Sequence, residues 1–452
     1  MRRFHYMVLR WVTSFDRFVR ERLTGAGKLA AVSSFMAAIV GLDTHQSLAS
    51  QVFALLAGLL ALSAALSLMF RALVEVRRSL PRFATAGEEL AYRISVRNAG
   101  TKPLADVEIR ERFGGMRPSF AEFQRARDPY ASTRNWVDRK GGYFRWRHLL
   151  EGRLPERAEA GTLALVPPGG RLEVRACLVP RRRGVLSFAG VDLVRPDVFG
   201  LAYGRARVPL PDRLVVLPRR YRLPQVLLPA QRLLQPGGHA LASSVGDSEE
   251  FLALREYRPG DSLRRLHWKS FARTGEPVVK EYETEFFERH ALVLDTAAPG
   301  ENEAFEEAVS IAASFVYTID TQECLLDLVF VSGEPECHTA GRGEASNVHL
   351  LEILAGVGPS QPAEFEQLAR EVLTMRGTLS SAVFVLLAWD QPRRDLVAAL
   401  TAAGLGVRVL LVQETKVQGD QAPPYPPADS FHAEGVLVLH PGKIEEGLAK
   451  LA

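Results

Sequence analysis

The strongest constraint on this chain is a run of 23 residues, Leu48 to Phe70, with no charged side chain and a single amide, Gln51. A bilayer core of ~30 Å is crossed by ~20 helical residues. A helix on a soluble core keeps one polar face for water, and this run has none. It therefore reads as a transmembrane helix. A shorter apolar run, Leu29 to Leu42, precedes it. Counted back to Leu23 it reaches twenty residues with Lys28 as the only charge, and lysine near a helix end can snorkel to the interface. Asp43-Thr44-His45-Gln46-Ser47 would be the turn of a helical hairpin.

Charge orients that hairpin. Residues 1–82 hold eleven basic side chains against four acidic ones, a net +7. The whole 452-residue chain carries +4, so the other 370 residues sum to −3. Every basic residue of the segment lies before Leu29 or after Phe70, and the turn has none. Basic flanks stay on the cytoplasmic side. The expectation is an inner-membrane anchor with both of its ends, and everything from Arg71 onward, in the cytosol. The helix Arg10–Arg22, with Trp11, Phe15, Phe18 and Val19 on one side, is expected to lie on the anionic leaflet.

Composition removes other classes. A hydrophobic fraction of 47 % excludes a disordered chain. A mean hydropathy of −0.01 excludes a polytopic transporter. Three cysteines, Cys177, Cys324 and Cys337, exclude a small disulfide scaffold and fit a reducing compartment.

From Leu73 to Pro218 the hydrophobic period is two. Leu90–Arg97, Val107–Arg110, Leu172–Val179, Val185–Leu193 and Leu214–Leu217 read as strands, punctuated by Asn98-Ala99-Gly100-Thr101 and Pro167-Pro168-Gly169-Gly170. Short strands at turn-bounded spacing imply an antiparallel β-sandwich of immunoglobulin-like class. Residues 114–157 read as a polar insertion. Arg181-Arg182-Arg183 reads as a solvated turn; with no interleaved aromatic run, nucleic-acid binding is not expected.

Beyond residue 290, apolar strands (Ala291–Leu294, Leu325–Val331, Ala382–Ala388, Val407–Val412, Gly435–Leu439) alternate with helices (Glu301–Ile319, Phe365–Thr374, Arg393–Ala403). Unbroken apolar strands imply a mostly parallel sheet covered on both faces, with ligands at the strands' carboxyl ends, where Asp295 and Asp390 fall.

The densest chemistry lies between these regions, at Gly246–Tyr282. Glu250-Phe251, Leu254-Arg255-Glu256-Tyr257, Gly260-Asp261, Arg264, Trp268 and Ala272-Arg273 match, in order and spacing, the motif of the bacterial "domain of unknown function 58" family, which this chain resembles. Pro196-Asp197-Val198-Phe199-Gly200-Leu201 is similar to that family's Asp-Pro-Phe-Gly-Leu segment, with the proline displaced. The resemblance implies a C-terminal α/β fold like the von Willebrand factor A-type domain. It also implies association with a MoxR-type AAA+ ATPase, often alongside transglutaminase-like membrane proteins. An A-type domain binds a divalent ion through Asp-x-Ser-x-Ser and a second Asp. Here the segment reads Asp295-Thr296-Ala297-Ala298-Pro299, with Asp390 as the candidate second carboxylate, so no metal and no other cofactor is expected.

The expected organisation is a basic amphipathic stretch (1–28), two transmembrane helices (29–70), the sandwich (71–220), the motif segment (221–290) and the A-type-like domain (291–452). The expected role is a non-enzymatic scaffold or adaptor. In it Arg255, Glu256, Asp261, Arg264 and Arg273 form an ion-pair network, because guanidinium–carboxylate pairs are directional, and Tyr257 and Trp268 serve as anchors, either packed or at an interface. The alternative is a hydrolytic enzyme using Glu256, Asp261 and His267. Against it, the chain has no nucleophile elbow, phosphate-binding Gly-rich loop or His/Cys metal cluster.

Overall fold

The structure, a computed structural model, describes residues 2–41, 47–115, 118–125, 135, 142–224, 251–259, 261–282, 288–298, 302–319, 321, 324–341, 346–413 and 436–451. The expected turn at 43–46, Glu250 and Gly260 of the motif, and Pro299 lie outside these residues. The chain divides into two compact units, one of Met1–Arg219 with Leu351–Val357, the other of Arg220–Leu350 with Gly358–Ala452.

In the first unit, helices α1 (Arg2–Arg22), α2 (Gly25–Val40) and α3 (Ser47–Leu68) come first. Within α3, Leu48–Leu68 is long and apolar enough to cross a membrane, and little of it is covered by the rest of the protein. Helix α2 is shorter than expected. Thr24 is extended (φ −72°, ψ 176°), and its hydroxyl accepts from the Gly27 amide, so the helix starts at Gly25 and spans 16 residues. At 1.5 Å per residue that is roughly 24 Å, less than a bilayer core.

The strands that follow form two sheets. Strands β1 (Val74–Ser79), β3 (Leu90–Asn98), β5 (Arg157–Ala160) and β7 (Arg171–Val179) pair in the order β1-β3-β7-β5. Strands β2 (Phe83–Thr85), β4 (Leu104–Phe113), β6 (Thr162–Val166), β8 (Gly184–Pro196) and β9 (Tyr203–Leu217) pair as β2-β9-β8-β4-β6. Pairing is antiparallel except for the short β2–β9 contact. Alternate residues of both sheets (Ile94, Val96 and Leu178 from one; Ile109, Leu193 and Leu214 from the other) bury into one common core. Among the described residues the insertion carries the short helices α4 (Phe120–Arg125) and α5 (Tyr143–Glu151). Tyr6 of α1 packs edge-on against Phe120 and Trp146 at 5.4 and 5.5 Å. Of the arginine triplet, Arg183 is not merely solvated: it donates to the carbonyls of Leu354 and Val357, at 3.1 and 2.6 Å, inside this unit.

A buried ion pair sits in the sandwich. Arg78 Nε and Nη2 donate to Glu111 at 2.9 and 2.6 Å, with the guanidinium 4.3 Å from the centre of the Phe188 ring. The Tyr92 hydroxyl donates to the same carboxylate at 3.1 Å. Burial, with that carboxylate beside it, drives the Tyr92 pKa upward.

The motif segment opens the second unit. Strands β10 (Phe251–Glu256) and β11 (Val278–Tyr282) pair antiparallel as their own sheet, with the seven-residue helix α6 (Trp268–Thr274) between them. The rest comprises β12 (Glu288–Leu294), α7 (Glu303–Thr318), β13 (Cys324–Ser332), β14 (Glu334–Ala340), the start of α8 (Asn347–Gly356), whose residues from Leu351 onward belong to the first unit, α9 (Phe365–Met375), β15 (Ser381–Leu386), α10 (Gln391–Ala402), β16 (Gly406–Val412), β17 (Val436–Leu439) and α11 (Ile444–Leu448). The six-stranded sheet runs β14-β13-β12-β15-β16-β17, parallel except for β14 at one edge. Helices α9 and α10 bury Phe365, Leu368 and Leu396 against Val293, Phe384 and Val409 on one face. Helix α7, itself largely buried, packs against β12, β15 and β16. Both faces being covered explains why these strands read as continuous apolar runs. The chain leaves β12 towards β13 on one side and arrives at β15 on the other, so the carboxyl ends of β12 and β15 form the switch point of the sheet.

Replacing Arg78 by alanine leaves the Glu111 carboxylate buried without its cation. The expected loss is about 3–5 kcal/mol in denaturant unfolding of the full chain. A loss below about 1 kcal/mol would show that the pair behaves as a solvated surface bridge.

Candidate functional sites: the motif hairpin and the switch-point carboxylates

The motif hairpin is built by backbone pairing and a very small core. Leu266 bridges to Val279, and both side chains are buried. The His267 amide donates to the Val278 carbonyl at 2.8 Å and the Tyr257 amide to the Pro277 carbonyl at 2.9 Å. Gly275 ends α6 in the left-handed region (φ 75°), where a side chain would be strained. These contacts hold a turn and a helix on a two-stranded base.

Of the expected ion-pair network, one pair, Arg255–Asp261, is seen among the described residues. Arg255 donates through both terminal nitrogens to Asp261, at 2.8 and 2.7 Å, and the Arg258 amide adds a third bond to Asp261 at 2.8 Å. That bidentate pair and the amide bond hold the Asp261 carboxyl at about 2 instead of 3.8. Glu256, Arg264 and Arg273 are exposed and take no part in this pair. The reason is geometric: the hairpin has too little interior to bury five charged side chains. His267 Nδ1 lies 2.7 Å from the Ser270 hydroxyl, and no hydrogen bond joins it to Glu256 or Asp261 among the described residues. Tyr257 is half-buried.

Several apolar residues of the hairpin stand in solvent. Trp268 is 63 % exposed and Leu263 64 %, with Phe271 and Leu254 at the margin of exposure. The Trp268 and Phe271 rings meet edge-on at 6.2 Å. Arg258, Arg264, Lys269 and Arg273 of the same segment are exposed as well. A segment that exposes aromatic and arginine side chains together has the composition of a protein-binding patch. Its signal in the sequence was the interleaving of apolar and arginine residues, but exposure of Leu263 and Phe271 could not be read there.

The second site lies at the switch point. Asp295, fully buried, follows β12; its Oδ1 accepts from the Ala297 amide (3.0 Å) and its Oδ2 from the Leu387 amide (3.1 Å). Arg393 Nε donates to Asp295 Oδ2 at 2.7 Å, and Arg393 Nη1 to Asp390 Oδ2 at 2.5 Å. The guanidinium stacks 4.2 Å from the centre of the Phe365 ring. The two carboxylates singled out in the sequence are thus brought to one guanidinium. Burial opposes the charge of Arg393, but the bonds to both carboxylates outweigh it and its pKa is raised. The Thr296 hydroxyl donates to the Val331 carbonyl at 2.7 Å and lies 3.0 Å from the Ser360 hydroxyl. This donor set does not fit a divalent ion, since a fixed cation already uses both carboxylates and position 297 offers no hydroxyl.

Sequence reading missed Arg393. A clue was available: Asp390 caps α10, and an arginine in the first turn opposes the helix dipole unless carboxylates compensate it.

Two outcomes follow. Arg393→Ala strands a buried carboxylate and is expected to cost about 3–5 kcal/mol in denaturant unfolding, with Arg393→Lys recovering part of it. A loss no larger than that of an exposed arginine would refute the pairing. For Asp261 the folded pKa is depressed, so its stabilising contribution is present above about pH 4 and is lost only as the pH falls through about 2. Its carboxyl carbon resonance should titrate near 2; a midpoint near 4 would mean that the Arg255 clamp is absent.

Comparison with known proteins places these sites. Residues 253–424 match the family described as "Protein of unknown function DUF58". The "Uncharacterized protein YeaD" of Bacillus subtilis (strain 168) is 26 % identical over 242 residues, 53 % of this chain and 59 % of that one, so the match spans less than two thirds of the relative. Among solved structures, the ASH / PapD-like domain of human CEP192 aligns at 12 % identity and a TM-score of 0.18, covering 32 % of this chain and 84 % of that one. The GH20 exo beta-N-acetylglucosaminidase from Vibrio harveyi aligns at 11 % identity and a TM-score of 0.14, covering 75 % and 57 %. Neither is close enough to assign a fold. The motif hairpin and the switch point both fall within residues 253–424, the part of the chain that matches the DUF58 family model.

Proposed function

We propose that this protein is a membrane-anchored, non-enzymatic adaptor. Its hairpin helices sit in the inner membrane with their basic flanks in the cytosol, following the positive-inside rule. An immunoglobulin-like sandwich and an A-type-like α/β domain carry the motif hairpin to a cytosolic partner. The partner is a MoxR-type AAA+ ATPase or one of its clients, with a transglutaminase-like membrane protein as a neighbour in the same assembly. Neither a metal, another cofactor nor nucleic acid takes part; in this reading Arg393 supplies the positive charge at the switch point.

One observation carries the proposal: Trp268 and Leu263 stand exposed on a small, braced hairpin whose Arg258, Arg264 and Arg273 are exposed too. Keeping large apolar side chains in water is unfavourable, and a partner that buries them is the compensating event. Those basic side chains favour an acidic partner surface. Against the hydrolytic reading, Asp261 is committed to Arg255 and His267 to Ser270.

The test is affinity capture from detergent-solubilised membranes under nucleotide-trapped conditions. The unaltered chain is expected to retain the ATPase. Trp268→Ala and Leu263→Ala should each weaken capture by about tenfold or more, the usual cost of removing a central interface anchor. Equal capture by all three chains would exclude this surface as the docking site.

A further inference from the structure

The loop that joins β8 to β9 is locked onto both apolar helices. Asp197 is the lock. Its Oδ1 accepts from the amides of Leu201 and Ala202, at 2.8 and 2.9 Å. Its Oδ2 accepts from the Ser63 hydroxyl at 2.6 Å and from the Phe199 amide at 3.3 Å. Ser63 is fully buried on α3, five residues before its last residue, Leu68, or roughly 7.5 Å up the helix. On the other side, the Thr24 hydroxyl donates to the Gly200 carbonyl at 2.5 Å, and the Thr24 amide to the Leu201 carbonyl at 3.1 Å. Gly27, one turn into α2, has no room for a side chain: a Cβ there would lie 1.9 Å from the Leu201 carbonyl oxygen.

A loop held beside the start of one apolar helix and above the end of another shares their depth. If α3 crosses a bilayer, residues 197–202 stand at the headgroup level. Yet the tip of this loop is apolar and open: Val198 is 88 % exposed and Phe199 44 %.

Helix α1 leads directly into the same junction, where Leu23 bridges to Ala202. Tyr6 and Glu21 fix its inner side to the rest of the unit, through Trp146 and Arg205. Its outer side presents Phe4, Met7, Trp11, Phe15 and Phe18, spaced by three and four residues and all exposed. The helix has six arginines against two carboxylates, and Arg3, Arg10 and Arg17, seven apart, follow one flank.

We propose that the 197–202 loop tip and the outer stripe of α1 form one lipid-contacting seat for an anionic leaflet. This rests on α3 being a membrane span. Two things select lipid as the occupant. The loop is bonded to α2 and α3, which themselves expose apolar side chains such as Val32, Phe35 and Leu55, and the arginine excess of α1 matches acidic headgroups. The seat adds to the anchor a fixed orientation: the loop is bonded to α3, so its tip cannot leave the interface while α3 is inserted.

The test uses the full chain with Cys177, Cys324 and Cys337 replaced by serine, in nanodiscs of phosphatidylcholine and phosphatidylglycerol. An environment-sensitive fluorophore is placed at one new cysteine in turn: Val198→Cys, Phe15→Cys, Leu55→Cys on α3, or Leu165→Cys on the sandwich. All four positions are exposed, so the label displaces no core. Nitroxide lipids that quench near the headgroups should remove about half of the Val198 and Phe15 signals and leave Leu165 unchanged. Asp197→Ala should lower quenching at Val198 and not at Phe15. If Leu55 is quenched by deep nitroxides while Val198 and Phe15 behave like Leu165, the anchor stands and the seat is overturned. If Leu55 is not quenched either, the anchor reading fails and the seat falls with it.

Discussion

Asp197 places a carboxylate at the foot of an apolar helix and satisfies it completely. Burial opposes its ionisation, but bonds from Ser63, Ala202, Phe199 and Leu201 outweigh that cost and hold its pKa below the ordinary carboxylate value. The rest of the first unit depends on this arrangement. The long β8–β9 hairpin reaches from the sandwich core to the helices, and its loop is the point at which the two are joined. The same contacts set the start of α2, because Thr24 cannot both cap the helix and continue it. Close backbone approach then demands glycine at position 27.

The second unit is organised by a different buried charge. Arg393 draws together Asp295 from the end of β12 and Asp390 from the cap of α10, across the switch point of the sheet. A switch point is where an α/β sheet of this kind offers a ligand-binding crevice. Here an internal guanidinium bridges the two carboxylates at that point, while the motif hairpin leaves aromatic and basic side chains exposed.

Much of the fold was legible. Period-two stretches gave β3, β4, β7 and β8, and unbroken apolar runs gave β12, β13, β15 and β16, because one- or two-sided burial leaves its period in the residues. Other elements left no such trace. Strand β14, Glu-Pro-Glu-Cys-His-Thr-Ala, is an edge strand with few apolar residues, and only its pairing to β13 makes it a strand. In β9 only Leu214–Leu217 was read, since Pro209 and Pro211 interrupt the pattern. Helix α8 went unread as well. At the sites, the motif residues were found by their spacing, but among the described residues the expected five-member network reduces to the Arg255–Asp261 pair.

The sequence by itself determined the apolar hairpin, the charge asymmetry around it, the classes of the elements and the position of the motif. Each follows from composition or period within a short window, where local physics suffices. Tertiary structure alone decided which charges are paired and which apolar residues stay in water. Arg393 reaches Asp295 across 98 positions, and Ser63 reaches Asp197 across 134. Partners so far apart in sequence meet only after the sheets have formed, and no local pattern records the meeting. Exposure of Trp268, Leu263 and Val198 is likewise set by what the rest of the fold leaves uncovered.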